Sequence, residues 1–556
     1  MDGVVPATER NAMKRPILAA ALLALATAAP AGAQPAAHPA PKLIVAISVD
    51  QFSADLYNEY RQYFTGGLGR LSRGAVFPMG YQSHGATETC PGHSTILTGD
   101  RPARTGIIAN DWYDPAAPRA DKMVYCAEDE RVAGSDSDHY TVSDIHLRVP
   151  TLGDLMRRAD PRSRSVAVAG KDRAAIMMGG HDPSARWWWN GQTFVARAGV
   201  AETPAVARVN RDVAAEIAAP RASMPITGIC ESRRRAITAN GREVGAGAFA
   251  RAAGDRSAFR ASPEFDAAIL ALASGLRAEM RLGEGPATDI LAVGVSATDY
   301  VGHGYGTQGS EMCVQMMALD RALGAFFDRL DAAHIDYAVV LTADHGGLDI
   351  PERARDEAIP EAARADAALR ASAMGRTIGA ALGLSGPVLI GGTFGDIYVD
   401  RALSEADRAR VVAAALAAYR AQPQVAAVFT RDEIAAAPAP AGPPDTWSLL
   451  QRLRASYDPA RSGDLYVVLK PRVTPIPEGS RGSVATHGSV WDYDRRVPIL
   501  FWRRGLTPFE QPMSVETVDI MPTLAGLIGL PLAPGAVDGR CLDLDAGPES
   551  TCPATQ

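Results

Sequence analysis

Short apolar runs without polar interruption punctuate this chain, and acids or histidines end several of them. LIVAISV runs into Asp50, ILAVGVSAT into Asp299 with His303 four residues on, and YAVVLTA into the adjacent pair Asp344-His345. Runs that lack period-two alternation predict strands of a parallel sheet buried on both faces. SVAVAGKDR, from Ser165, predicts a further short strand ending in charge, and VPILFW a late one. RWWWNGQTFVA (186–196) predicts a hairpin about an Asn-Gly turn. Helical patterning marks residues 264–281 and VDIMPTLAGLIG near the end. The expected fold class is α/β: a large, mostly parallel central sheet with helices on both faces, beginning over residues 42–349. Residues 350–485 break the βα rhythm with alanine-rich helices, short strands such as VLIGGTF and GDIYVD, and the proline run APAPAGPPD. That stretch reads as an inserted subdomain, after which residues 486–556 return to the main domain and end in a tail.

A chain of 556 residues is long enough for a large core. Its formal net charge of −7 argues against a general nucleic-acid binder. An anionic ligand would have to be drawn in locally, by metal ions and a few cations. The basic pair Lys14-Arg15, the apolar stretch 17–29 and Ala31-Gly32-Ala33 before Gln34 read as a secretory signal over residues 1–33. A Pro/Ala linker follows over 34–41, and Met13 is an alternative start. The apolar run is short and ends at Pro30, which favours cleavage over anchoring. No later segment is apolar enough to span a bilayer, so a periplasmic or secreted protein is expected. The six cysteines are even in number, which in an exported protein suggests disulfides. Connectivity does not follow from spacing. Cys541 with Cys552 closes a short tail loop, and Cys90–Cys126 and Cys230–Cys313 are the remaining pairings considered.

In open α/β sheets, ligands bind beyond the carboxyl ends of the strands. Asp50, Asp299, His303, Asp344 and His345 are therefore expected at one sheet edge, joined by His487. Nitrogen and carboxylate donors together suit zinc, and two adjacent three-ligand sites leave positions open for chemistry. GATETCPGHSTILTG places Thr89 just before Pro91, at the start of a helix-like segment. Free N–H groups, the helix dipole and an adjoining metal would favour an ionised hydroxyl there, as a threonine nucleophile needs. Asn110, in GIIANDWYD, has an amide that can donate to a phosphoryl oxygen. Lys171 and Arg173 stand two residues apart at a strand end, hence on one side. A point charge beside a planar fork suits a phosphate dianion. Taken singly, these four residues also read as an N-cap, a turn and a solvated pair; the ligand set favours the catalytic reading. His93 reads as structural or supporting, and Trp187–Trp189 as packing at the site's rim.

The motifs TETCPGHSTILTGDRPARTGIIANDWYD, SATDYVGH, ADHG and the late THG resemble the alkaline phosphatase superfamily, in its nucleotide pyrophosphatase/phosphodiesterase-like branch. The GKDR strand is similar to that of the threonine-nucleophile alkaline phosphatases of the Sphingomonas and Flavobacterium type. The resemblance covers residues 42 to 545, about the whole mature chain. It implies an alkaline-phosphatase-like fold and two zinc ions per chain. Asp299, His303 and His487 would hold the ion at the leaving oxygen, and Asp50, Asp344 and His345 the ion beside Thr89. It further implies hydrolysis of small-molecule phosphate monoesters through a phosphothreonine, by a monomer or homodimer. A phosphodiesterase or nucleotide pyrophosphatase using the same metals and Thr89 is the alternative, since that branch typically lacks the Lys-Arg pair. A binding protein for phosphorylated ligands is a second. A sulfatase is disfavoured because Thr89 cannot become formylglycine.

Overall fold

The computed structural model describes residues 39–553, apart from 248 and 548. The leader and most of the linker lie outside the described residues.

Seven main strands build the central sheet: β1 (Leu43–Val49), β2 (Ala75–Tyr81), β3 (Ser165–Ala169), β4 (Ala185–Trp189), β5 (Asp289–Val295), β6 (Tyr337–Thr342) and β7 (Arg496–Arg503). Their order across the sheet is β2-β7-β6-β1-β5-β3-β4, with short two-residue strands extending it to ten. β6, β1, β5, β3 and β4 pair in parallel, and β7 alone among the seven runs the other way, against both β6 and β2. Every residue of β1, β3, β5 and β6 is buried. Alternate side chains of β1 feed two different cores. Leu43, Val45 and Ile47 join helices Pro263–Glu279 and Ser310–Ala332 on one face. Ile44 and Ala46 join Ile96, Leu97, Leu152 and Leu524 on the other. Covering both faces is why these strands read as unbroken apolar runs. Each fully buried Leu, Ile or Val contributes about 1.5–3 kcal/mol.

Trp189 and Phe194 close the hairpin, and the Asn190 side chain accepts from the N–H groups of Gln192 and Thr193. The three tryptophans are buried, and Trp189 packs edge-on against Phe194 and Phe265. They pack as expected, though as core residues rather than at a rim: Trp187 and Trp189 join the cluster of Phe259 and Phe265, and Trp188 packs with Ala169, Ala174 and Ala175 on the opposite face.

Within residues 350–485 stands a separate antiparallel sheet of Leu389–Gly391, Gly395–Val399, Leu465–Leu469 and Val425–Thr430. Helices Ala371–Leu382 and Glu405–Arg420 cover it, with Met374, Ile378, Val411 and Tyr419 in its core. All three considered cysteine pairings are formed: Cys90–Cys126, Cys230–Cys313 and Cys541–Cys552. No helix among the described residues is long and apolar enough to cross a membrane.

Three helices bring chemistry to the sheet's carboxyl edge: α1 (Thr89–Thr98), α2 (Asp172–Gly179) and α3 (Ala297–Tyr305). α1 lies against the end of β6 through Gly92, where a β-carbon would overlap the Asp344 carbonyl. Gly92→Ala must therefore push the helix off the sheet. We expect it to cost about 2–3 kcal/mol, read as a lowered Tm; an unchanged Tm would mean that this close approach is not needed.

Candidate metal centre and nucleophile

Asp50 directly follows β1, and Asp344-His345 stands one residue past β6. Because β6 has already ended, neighbouring residues 344 and 345 need not point to opposite faces. Asp344 turns Oδ1 to the N–H groups of Gln51 (3.1 Å) and His345 (3.0 Å), leaving Oδ2 toward the site. Gln51 takes the left-handed conformation at φ 64°, a costly state for a non-glycine residue that clusters at functional sites.

The settings of two expected pairs differ from the sequence reading. Asp299 does not end a strand: β5 stops at Val295, and Asp299 and His303 sit one turn apart on α3, with His303 Nε2 3.2 Å from Asp299 Oδ1. Side chains four apart on a helix meet on one face, so the pair converges without a turn between them. Asp266, buried, accepts from the N–H groups of Ser296 and Ala297 and so fixes the start of α3. Likewise β3 ends at Ala169. Lys171 is the N-cap of α2 and Arg173 lies in its first turn, so strand alternation is not what puts them on one side.

The six candidate ligands and Thr89 nonetheless meet. Asp50, Asp344 and His345 offer donor atoms that all lie within 4.8 Å of one another. A second group that close comprises Asp299, His487 and His345, rather than His303. His345 belongs to both because its ring stacks on His487 at 3.6 Å between centroids. His487 reaches the edge at the N-terminal side of β7, which is antiparallel and so begins where its neighbours end. Each expected histidine ligand has Nδ1 2.8 Å from a backbone carbonyl: His303 on Ala485, His345 on Gly346, His487 on Thr87. A carbonyl only accepts, so Nδ1 carries a proton and Nε2 is the nitrogen turned to the carboxylates.

The site is buried and crowded with carboxyl groups. Asp50 and Asp344 are fully buried and Asp299 almost so. Asp50 Oδ1, Asp299 Oδ1, Asp344 Oδ2 and His345 Nε2 make no hydrogen bond. Burial, with Asp344 alongside, pushes the Asp50 carboxyl well above its usual range. Burial works the same way at Asp299, but His303 and Lys171 outweigh it and hold that carboxyl well below the usual range. Burial keeps His345 down at about 3, hence neutral. Orphaned carboxylate oxygens facing imidazole nitrogens are a donor set for divalent cations. Zinc accepts both donor types, so the residues present fit the expected group.

Lys171, also buried, has Nζ 2.6 Å from both Asp50 Oδ2 and Asp299 Oδ2, bridging the two ligand groups. Burial alone would lower its ammonium pKa, but Asp299 and Asp50 raise it above the ordinary lysine value. Lys171 Nζ and Arg173 Nη2 lie 3.4 and 3.5 Å from Thr89 Oγ1. Asn110 accepts through Oδ1 from the Cys90 N–H at 2.8 Å, leaving its amide NH₂ as a donor beside Thr89. Thr89 is the first residue of α1, where unpaired N–H groups and the dipole favour anions.

His93, read from the sequence as structural or supporting, has Nδ1 3.1 Å from Asp344 Oδ2 and so stands beside a candidate ligand. Other contributors went unread in the sequence. Glu88 Oε2 accepts from the Asn110 N–H at 2.6 Å. Arg173 is steadied by the Tyr125 hydroxyl, and both Tyr125 and Tyr140 donate to Asp172. The tyrosines come from the turn-rich stretch 114–150, which has no periodicity from which to read them. Tyr300 places its ring 5.1 Å from Lys171 Nζ.

Among known families, residues 44–490 match the type I phosphodiesterase / nucleotide pyrophosphatase family. The chain is 58% identical to alkaline phosphatase PhoK of Sphingomonas sp., covering 96% of this chain and 99% of that one. It is 49% identical to alkaline phosphatase PhoD of Zymomonas mobilis, covering 92% and 89%. The crystal structure of alkaline phosphatase PafA superposes with a TM-score of 0.78 at 26% identity, over 91% of this chain and 99% of that one.

Proposed function

Since the chain belongs to the type I phosphodiesterase / nucleotide pyrophosphatase family, with alkaline phosphatases as close relatives, we propose that it is an alkaline phosphatase that hydrolyses phosphate monoesters through a phosphothreonine at Thr89. The observation that carries this reading is the pair of cations on one hydroxyl, Lys171 and Arg173 at 3.4 and 3.5 Å from Thr89 Oγ1. A monoester phosphoryl group is a dianion with three free oxygens; a diester has one charge and a second ester group that such a pair would crowd.

Two zinc ions are the proposed cofactors, one held by Asp50, Asp344 and His345, the other by Asp299, His303 and His487. When bound, they supply Lewis acidity to the attacking and departing oxygens. Thr89 Oγ1 attacks phosphorus at the start of α1, and the ester P–O bond breaks as the new one forms. The NH₂ of Asn110, Lys171 and Arg173 hold the non-bridging oxygens as charge shifts among them. Water then attacks phosphorus, the bond to Thr89 breaks, and the hydroxyl is restored with inorganic phosphate as product. Burial of Thr89, 1% exposed, keeps other water away from the reacting atoms. Three disulfides support a periplasmic or secreted location.

The test is kcat/KM on p-nitrophenyl phosphate against bis-p-nitrophenyl phosphate, for the wild type and Lys171→Ala/Arg173→Ala. Strong monoester preference is expected, with monoester turnover falling by about 10²–10³-fold in the double variant and diester turnover changing far less. Equal or better diester turnover, untouched by the substitutions, would assign the chain to diester hydrolysis.

A further inference from the structure

A cavity of about 440 Å³ adjoins the site and is used by none of the steps above. One wall is made of neighbours of three site residues. Glu88 precedes Thr89, Asp111 follows Asn110, and Gly488 follows His487. The facing wall comes from the second sheet and carries Phe394, Asp396, Tyr398 and Tyr466. Neither Lys171 nor Arg173 lines it. The space opens beside the segments that carry Thr89, Asn110 and His487, on a side to which neither Lys171 nor Arg173 contributes.

The chemistry of this lining is one-sided. Three carboxylates border the cavity, and among the described residues that line it none is lysine or arginine. Glu88 accepts from the Asn110 N–H, and Asp396 Oδ1 accepts from the Gly463 N–H at 2.7 Å. Those bonds fix Glu88 and Asp396 in place; burial, with Glu88 alongside, pushes the Asp111 and Asp396 carboxyls up to about 7, partly offset by Arg173 at Asp111 and Arg431 at Asp396, so the lining gains its full negative charge toward alkaline pH. The tyrosine hydroxyls are also engaged, Tyr398 donating to the Arg461 carbonyl at 2.8 Å and Tyr466 to that of Gly85 at 3.4 Å. What the two tyrosines have left to offer is their rings. At the mouth, Gly488 holds φ 111°, and a β-carbon there would come within 3.1 Å of the Phe394 ring and 3.6 Å of Glu88. The missing side chain thus leaves an aromatic ring and a carboxylate side by side next to His487.

Aromatic faces and ionised carboxylates, in a lining that contributes no cation of its own, attract a positively charged group and repel an anionic one. The volume falls within the range of small-molecule sites, about 300–1,000 Å³. Resting on the phosphomonoesterase reading, we infer that this cavity is the leaving-group subsite and that it takes a cationic alcohol. The favoured substrates are then phosphate monoesters of amino or quaternary-ammonium alcohols. The chemistry is the same hydrolysis: the P–O bond to the alcohol breaks, water supplies the replacing oxygen, and the cationic alcohol leaves. Esters whose leaving group carries a second phosphate are disfavoured.

Choline phosphate and 3,3-dimethylbutyl phosphate share a shape and differ by one positive charge, so the ratio of their kcat/KM values isolates the inferred interaction. For the zinc-loaded wild type we expect a ratio of about ten or more, decreasing as salt screens the carboxylates. Asp111→Asn/Asp396→Asn is expected to reduce the ratio about fivefold or more. Asparagine at 396 keeps the oxygen that accepts from Gly463. A wild-type ratio near one, with p-nitrophenyl phosphate still hydrolysed, overturns the subsite; so does a high ratio that the double variant leaves intact. Failure to hydrolyse p-nitrophenyl phosphate as well overturns the phosphatase reading beneath it. Should the double variant not fold, the wild-type ratio and its salt dependence decide.

Discussion

Thr89→Ala is expected to lower kcat for p-nitrophenyl phosphate by about 10⁴-fold or more while leaving metal content and phosphate binding in place. The size follows from geometry. Thr89 Oγ1 is the hydroxyl on which Lys171 and Arg173 converge, at the first residue of a helix whose dipole favours its ionised form. Removing it removes the bond-forming atom, whereas the six candidate ligands, the two cations and Asn110 keep their own anchors. Metal content by elemental analysis and competitive inhibition by inorganic phosphate check the retained functions. A variant that keeps turnover within about tenfold of the wild type would exclude Thr89 as nucleophile. A protein whose phosphate binding is intact, with no turnover to lose in the first place, would be a binder and not an enzyme.

Metal removal is the second large effect. Stripping with a chelator should abolish turnover and lower Tm by about 5–10 °C, both restored by zinc. Asp50, Asp299 and Asp344 are packed together out of water, with oxygens that no hydrogen bond satisfies. Lys171 can bridge only two of them, at 2.6 Å each. Two divalent cations would offset that crowding, and binding only to the folded state adds about 4 kcal/mol per site at ligand concentrations a thousandfold above Kd. Elemental analysis before stripping reads the stoichiometry independently of activity. Stripped protein that keeps both its turnover and its Tm would refute the two-ion assignment.

The sequence disclosed the site's ingredients better than their settings. Asp50 and Asp344 were legible because the apolar runs before them have no alternation, and buried parallel strands leave that signature. The helical placement of Asp299 and His303 was not, because SATDYVGH fits a strand end and a first helical turn equally well. The same ambiguity affected Lys171 and Arg173: the β3 boundary at Ala169 shifts them onto α2, yet both still reach Thr89. Two of the three carbonyls that hold the imidazole Nδ1 atoms are distant in the chain, Ala485 from His303 and Thr87 from His487, a relation that tertiary packing creates and no local pattern encodes. The carboxylate-lined cavity was hidden for that reason too. Its walls come from six segments spread between residues 86 and 488, and Phe394 lies in a bend after a strand that ends at Gly391.

The reversed direction of β7 has a consequence for how the protein matures. Because that strand is the last long one in the chain and enters the sheet at the ligand edge, His487 takes its place only after nearly all the polypeptide is available to fold. A chain that has emerged only as far as His345 holds Asp50, Asp344 and His345 but just two of the three ligands around Asp299. On the two-ion proposal, full metal capture is thereby tied to completion of the polypeptide. A product that ends before His487 keeps Asp299 and His303 but lacks the third candidate ligand beside them.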